Sequence, residues 1–193
     1  MGISSNLGNM VSVAGGSLFL PFLPMMPTQI LLNNLLYDMT QITIPLDNVD
    51  TEAILLPKKI DIMAMRKFMV IFGLISSIFD FSTYFLLLFG FHASESTFQT
   101  AWFLESFCTE TLVVFLIRTE KIPFWKSRPH RWLILSNLIP IGVVIILPFT
   151  IIGRFFKFVT PPLLFYLWLI PLIGLYLFLV ELGKKWFYQK KNN

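Results

Sequence analysis

Four carboxylates, Asp38, Asp80, Glu105 and Glu110, fall inside long apolar stretches of this chain. A charge at the centre of a bilayer helix costs about 2.5–3.5 kcal/mol on insertion scales, so each needs a partner or a function. Amides gather near one of them. Asn6 and Asn9 are spaced i, i+3, and Asn34 and Asp38 are spaced i, i+4, so on helices each pair shares a face. Asn33 points about 100° away from Asn34. Pro21, Pro24 and Pro27 lie between the two stretches and predict a tight turn, which makes the two helices antiparallel neighbours. Their polar faces can then meet in the interior. Amide carbonyls with one carboxylate form a hard-oxygen set suited to Mg²⁺ or Ca²⁺ rather than to soft metals. Magnesium sheds water reluctantly, so a site with few charges and several amides can hold a partly hydrated ion and still release it. Asn and Asp also act as hydrogen-bonding glue between membrane helices, and spacing alone leaves both readings open. Glu105, one turn into the fourth apolar run, either faces the same cavity or is a partnered polar residue. Glu110, five positions on, points elsewhere. Asp80 is expected to pair with Ser, Thr or Tyr neighbours.

The elements that would position these groups are six apolar segments, at about 3–23, 27–44, 68–91, 98–117, 132–152 and 163–182. Hydrophobic residues make up 55% of the chain and charged residues 13%, with a mean hydropathy of +0.72. An average soluble domain is about 25% charged, so lipid must be the solvent for much of this surface. A helical span takes about 20 apolar residues, and six spans nearly use up 193 residues. The expected fold is an all-α polytopic membrane protein, a bundle of six transmembrane helices, with little room for a soluble catalytic domain. The Ala14-Gly15-Gly16-Ser17 stretch predicts close helix packing.

Charge sets the topology. The connections at 45–67 and 118–131 and the C-terminal tail carry thirteen of the fifteen basic residues; Arg154 and Lys157 are the other two. The positive-inside rule puts both connections and the C-terminus in the cytoplasm. Six spans then require a cytoplasmic start. The five Trp residues mostly fall near predicted span ends, as interfacial anchors do. A sequence pI near 9.3 suggests nucleic acid in a soluble protein, but here the basic residues flank apolar spans, so no nucleic-acid partner is expected. Cys108 stands alone, without a CxxC or Cys/His cluster, and His92 and His130 are far apart, which argues against zinc. Met1 to Ser5 lacks the basic start of a signal peptide.

Several strings carry a family resemblance. Ile3-Ser4-Ser5-Asn6-Leu7-Gly8-Asn9 resembles the fifth membrane helix of P-type cation ATPases, and the run from Gln29 to Asp38 resembles the sixth. Asn34-Leu35-Leu36-Tyr37-Asp38, Gln41 and Pro45-Leu46-Asp47 are similar to the magnesium-importing branch. So are Ser76-Ser77-Ile78-Phe79-Asp80, Trp102-Phe103-Leu104-Glu105 and the stretch from Thr111 to Phe124. The resemblance covers residues 1–193 and implies the C-terminal membrane domain, helices five to ten. It implies Mg²⁺ as the transported ion in a bacterial inner membrane, with Asn9, Asn34 and Asp38 as ligands, Asn6 in a second tier, and Glu105 as the counterpart of a helix-eight glutamate. Calcium pumps carry a carboxylate at the position of Asn9; a neutral amide there lowers the site's charge.

The departures from the family are large. The phosphorylated Asp-Lys-Thr-Gly-Thr motif, the Gly-Asp-Gly-x-Asn-Asp hinge, the nucleotide-binding and actuator domains, and helices one to four are absent from this sequence. No catalytic residue for phosphoryl transfer is expected here, and ATP belongs to the full-length protein. The chain reads as a fragment whose partners are lipid, a divalent cation and the missing N-terminal pump domains. The rival reading is a truncated non-catalytic membrane protein, either an inert remnant or a passive cation pathway.

Overall fold

The structure is a computed structural model that describes residues 2–48, 50 and 62–191. Glu52, Lys58, Lys59 and Asp61 of the first polar connection lie outside the described residues, as do the side chains of Lys190 and Lys191. The described residues are all-α. The helices are α1 (Gly2–Phe19), α2 (Pro27–Gln41), α3 (Ile62–Phe85, extended by a π turn at Leu86–Gly90), α4 (Glu95–Ile117), α5 (Arg131–Ile146), a short α6 (Ile151–Phe155) and α7 (Leu163–Lys191). Each of the six apolar segments is a helix.

Their lengths depart from expectation. Among the described residues four helices are long and apolar enough to cross a bilayer: Arg66–Gly90, Glu95–Ile117, Arg131–Phe149 and Leu163–Trp186. The first two helices fall short of the six spans expected. At about 1.5 Å per residue, the 15 residues of α2 rise only about 22 Å, against a hydrocarbon core of about 30 Å. The 18 residues of α1 are longer but diluted by amides, serines and glycines. The two helices that carry Asn6, Asn9, Asn34 and Asp38 are therefore the least lipid-like of the six.

The pattern of burial follows composition. Helix α4 is the least apolar of the four long spans and carries Gln99, Glu105, Ser106, Thr109 and Glu110, so in lipid it belongs in the middle of the bundle, and every residue from Phe98 to Thr111 is buried. It packs against α2, α3, α5 and α7. Helices α5 and α7 bury one stripe and expose Leu138, Ile139, Leu167 and Ile170, the face a bilayer would cover. Helix α1 lies chiefly along α3 and touches α2 little, so the amide faces of α1 and α2 meet across a gap rather than in direct packing.

The contact of α1 with α3 needs glycine. A Cβ on Gly15 would stand 2.5 Å from Phe81 Cζ, and one on Gly16 would stand 2.7 Å from Pro24 Cγ and 2.8 Å from Tyr84 Cε2. Gly16→Val is expected to lower unfolding stability by about 1–3 kcal/mol through overpacking. Gly142→Ala is the control, because a Cβ there meets nothing within 4 Å. It should be neutral or stabilising by up to about 1 kcal/mol from helix propensity. Thermal unfolding in detergent, followed by circular dichroism, separates the two.

The two ends of the bundle are chemically distinct. At one end Arg118 Nε donates to Asp47 Oδ2 (2.6 Å) and Arg118 Nη1 donates to Ser127 Oγ (3.0 Å) and its carbonyl (3.3 Å). His130 N donates to Asp47 Oδ1 at 2.9 Å, and Ser127 Oγ to Asp50 Oδ1 at 2.6 Å. Burial raises the Asp50 pKa, but hydrogen bonds from Ser127 and Thr119, with the Lys121 and Arg118 charges, outweigh it and hold the carboxyl below its ordinary range. Buried Lys184 of α7 donates from Nζ to the carbonyls of Leu116 (3.0 Å) and Lys121 (2.8 Å), next to Glu181, whose Oε1 accepts from Phe124 N at 3.0 Å. Both long polar connections and the basic end of α7 thus share one end. At the other end Gln99 Nε2 donates to the Leu23 carbonyl (2.9 Å) and Gln29 Nε2 to the Phe156 carbonyl (3.0 Å), which ties two short connections to α4 and α2.

Candidate cation site between α1 and α2

The gap between α1 and α2 is a cavity of about 400 Å³. Asn6 and Asn9 line it from α1, Asn33 and Asn34 from α2, and Trp102 from α4, with Met10, Val13, Ala14, Met25 and Ile30 as apolar wall. Four amides therefore converge on one space. Asn6 is exposed, Asn9 and Asn34 are half-buried, and Asn33 is buried. Ser106 Oγ of α4 donates to Asn9 Oδ1 at 3.1 Å and orients that amide.

The other expected ligands stand apart from this space. Asp38, one turn beyond Asn34 on the same face of α2, is exposed and does not line the cavity. Glu105 is 1% exposed, and neither of its carboxyl oxygens has a hydrogen-bond partner among the described residues. Its carboxyl faces that of Asp80. Asp80 is tied down: Ser12 Oγ donates to Oδ2 at 2.5 Å and Trp102 Nε1 donates to Oδ1 at 2.9 Å. The expected serine partner is there, and the indole adds a second. Trp102 is consequently not an interfacial anchor. It is fully buried, because its N–H finds an acceptor deep in the bundle, whereas Trp125, Trp132, Trp168 and Trp186 are each about half-exposed or more.

Two residues given little or no weight from sequence are part of this interior. Asn33 Nδ2 donates to Glu110 Oε2 at 2.8 Å, so Glu110 is held directly behind the cavity wall. The only sequence signal was the unusual pair of consecutive amides at Asn33-Asn34. Among the described residues no three His, Cys, Asp or Glu side chains come together as a metal-holding group. What the cavity offers is amide oxygens with a single carboxylate behind them, a neutral to weakly charged hard-oxygen surface.

The fold is an all-α membrane bundle in which four amides face one cavity between α1 and α2. Residues 22–186 match the family described as cation transporting ATPase, C-terminus, and the chain belongs to it. Over 99% of its length it is 41% identical to the magnesium-transporting ATPase, P-type 1, of Salmonella typhimurium strain 14028s. It is 40% identical to the protein of the same description from Escherichia coli K12. A further relative so described, from Salmonella typhimurium LT2, is 38% identical. The chain spans about a fifth of the length of these curated relatives (22%, 22% and 21%).

Proposed function

We propose that this chain is the membrane part of an ATP-driven magnesium importer, with α1 and α2 lining the path of the ion. The observation that carries the proposal is the convergence of Asn6, Asn9, Asn33 and Asn34 on one cavity. Asn9 and Asn34 are the central ligands, Asn6 a second-tier ligand at the mouth, and Glu105 a buried carboxyl on the inner side. Asp38 acts from the exposed continuation of the Asn34 face. A carboxylate there faces other parts of the pump or water, since lipid is a costly neighbour. Mg²⁺ is the cargo. Amide ligands of low total charge suit an ion that keeps part of its hydration shell, and they bind it weakly enough for release. ATP hydrolysis and the phosphorylated aspartate belong to domains outside this chain. In the proposed topology the Arg118–Asp47–Asp50 end and the C-terminus are cytoplasmic, and the membrane is the bacterial inner membrane.

The test is a chimera. This chain replaces the matching part of the Escherichia coli relative, and magnesium uptake is measured in cells with no other high-capacity route. Uptake is expected, together with a loss of at least tenfold in the Asn9→Ala/Asn34→Ala/Asp38→Ala variant. Undiminished uptake by the triple variant would contradict the ligand assignment. A chimera that inserts but transports nothing would favour an inert or passive membrane protein.

A further inference from the structure

The Asn33–Glu110 pair supports a step beyond the amide cavity, and the step rests on the cation-path reading above. Asn33 lines the cavity and is 1% exposed; Glu110 is 2% exposed. Their single mutual hydrogen bond, Asn33 Nδ2 to Glu110 Oε2, uses one atom of each. The remaining oxygens, Asn33 Oδ1 and Glu110 Oε1, are buried and accept nothing among the described residues. Buried polar atoms are nearly always partnered, because an unmatched one forfeits its hydration without return. Here two neighbouring orphans are both acceptors, so the missing partner must bring positive charge or donated hydrogen. Asn9, whose Oδ1 accepts from Ser106, turns its amide N–H toward the same carboxyl and lines the same cavity. Amide oxygens next to a carboxylate oxygen are hard-cation ligands.

We infer that Glu110, presented by Asn33, is a further ligand for the divalent cation, an inner position reached after the Asn9/Asn34 pair. The hydrogen bond from Asn33 Nδ2 fixes the carboxylate with Oε1 left open. The ion moves from neutral amides at the mouth to a charged oxygen behind them. This position needs no third carboxylate. Glu105 is a separate inner carboxyl that faces Asp80, which Ser12 and Trp102 already hold.

The experiment titrates the purified chain in detergent with Mn²⁺, a hard divalent ion that takes oxygen ligands. Binding is read from the loss of the free-ion electron paramagnetic resonance signal. Glu110→Gln keeps the shape and an oxygen for Asn33, and removes only the charge. It is expected to weaken Mn²⁺ binding at least tenfold without lowering the unfolding temperature. Glu110→Asp keeps the charge on a shorter arm and is expected to recover part of the loss. Unchanged affinity in Glu110→Gln, alongside loss in Asn34→Ala, overturns the inference and leaves the cavity reading standing; water or a proton then satisfies the orphans. No saturable binding by the unmutated chain overturns both. If Glu110→Gln does not fold, Glu110→Asp decides: a loss of threefold or more supports the inference, and unchanged affinity overturns it.

Discussion

Arg118→Ala is expected to lower the unfolding free energy of the detergent-solubilised chain by about 3–5 kcal/mol, the range for removing one partner of a buried ion pair. The side chains of Arg118 and Asp47 are 4% and 12% exposed, and their bond is 2.6 Å long. Without the guanidinium, the Asp47 carboxylate stays half-buried with only the His130 N–H to hold it, and the Ser127 carbonyl and hydroxyl lose their donor. Arg118→Lys tests whether charge or geometry matters. Arg118 serves Asp47 from Nε and Ser127 from Nη1, and a single ammonium cannot span both sets. The Lys variant should recover less than half of the loss. Chemical denaturation followed by tryptophan fluorescence measures both; a change below about 1 kcal/mol for Arg118→Ala would place the pair among exposed ion pairs.

Asp80→Ala is the second large effect. The substitution strands the Trp102 indole N–H and the Ser12 hydroxyl in the bundle interior. Each stranded donor costs about 1–3 kcal/mol, so the pair costs about 2–6 kcal/mol. Asp80→Asn retains the volume and one carbonyl oxygen, so it strands at most one donor and should lose about half as much. The same residues link three helices: Asp80 on α3, Ser12 on α1 and Trp102 on α4. Cross-linking or protease protection of α1 should therefore weaken in Asp80→Ala before the rest of the bundle opens. Equal stability of the Ala and Asn variants would contradict the account.

The sequence made the bundle legible where apolar runs are long and bounded by charge. The helices α3, α4, α5 and α7 fall on four such runs, and the gathering of Arg118, Asp47 and Asp50 at one end was visible in the basic bias of the connections. The shortness of α2 was not visible. Thr43 and Ile44 are apolar enough to extend the run, but the chain turns into a 3₁₀ segment at Ile44–Leu46 with Pro45 inside it. The fifth run likewise breaks at Pro148, and a short helix follows. The amides of α1 and α2 were legible as two faces because each pair repeats at helical spacing. The Asn33–Glu110 contact was not, because α4 is buried all round and no apolar stripe tells which of its faces meets α2. Trp102 was misread for the same reason: on such a helix, nearness to the end of an apolar run does not imply nearness to an interface.

The central claim is that a cation occupies the space between Asn9 and Asn34. Thiol protection tests it most directly. In a Cys108→Ala background, Val13→Cys, in the apolar wall of the cavity, is labelled by a small hydrophilic thiol reagent with and without saturating Mg²⁺, and Ile139→Cys on the outer face of α5 serves as control. The account predicts that Mg²⁺ slows labelling at Val13→Cys severalfold and leaves Ile139→Cys unchanged. Equal labelling rates at Val13→Cys with and without Mg²⁺ would contradict it.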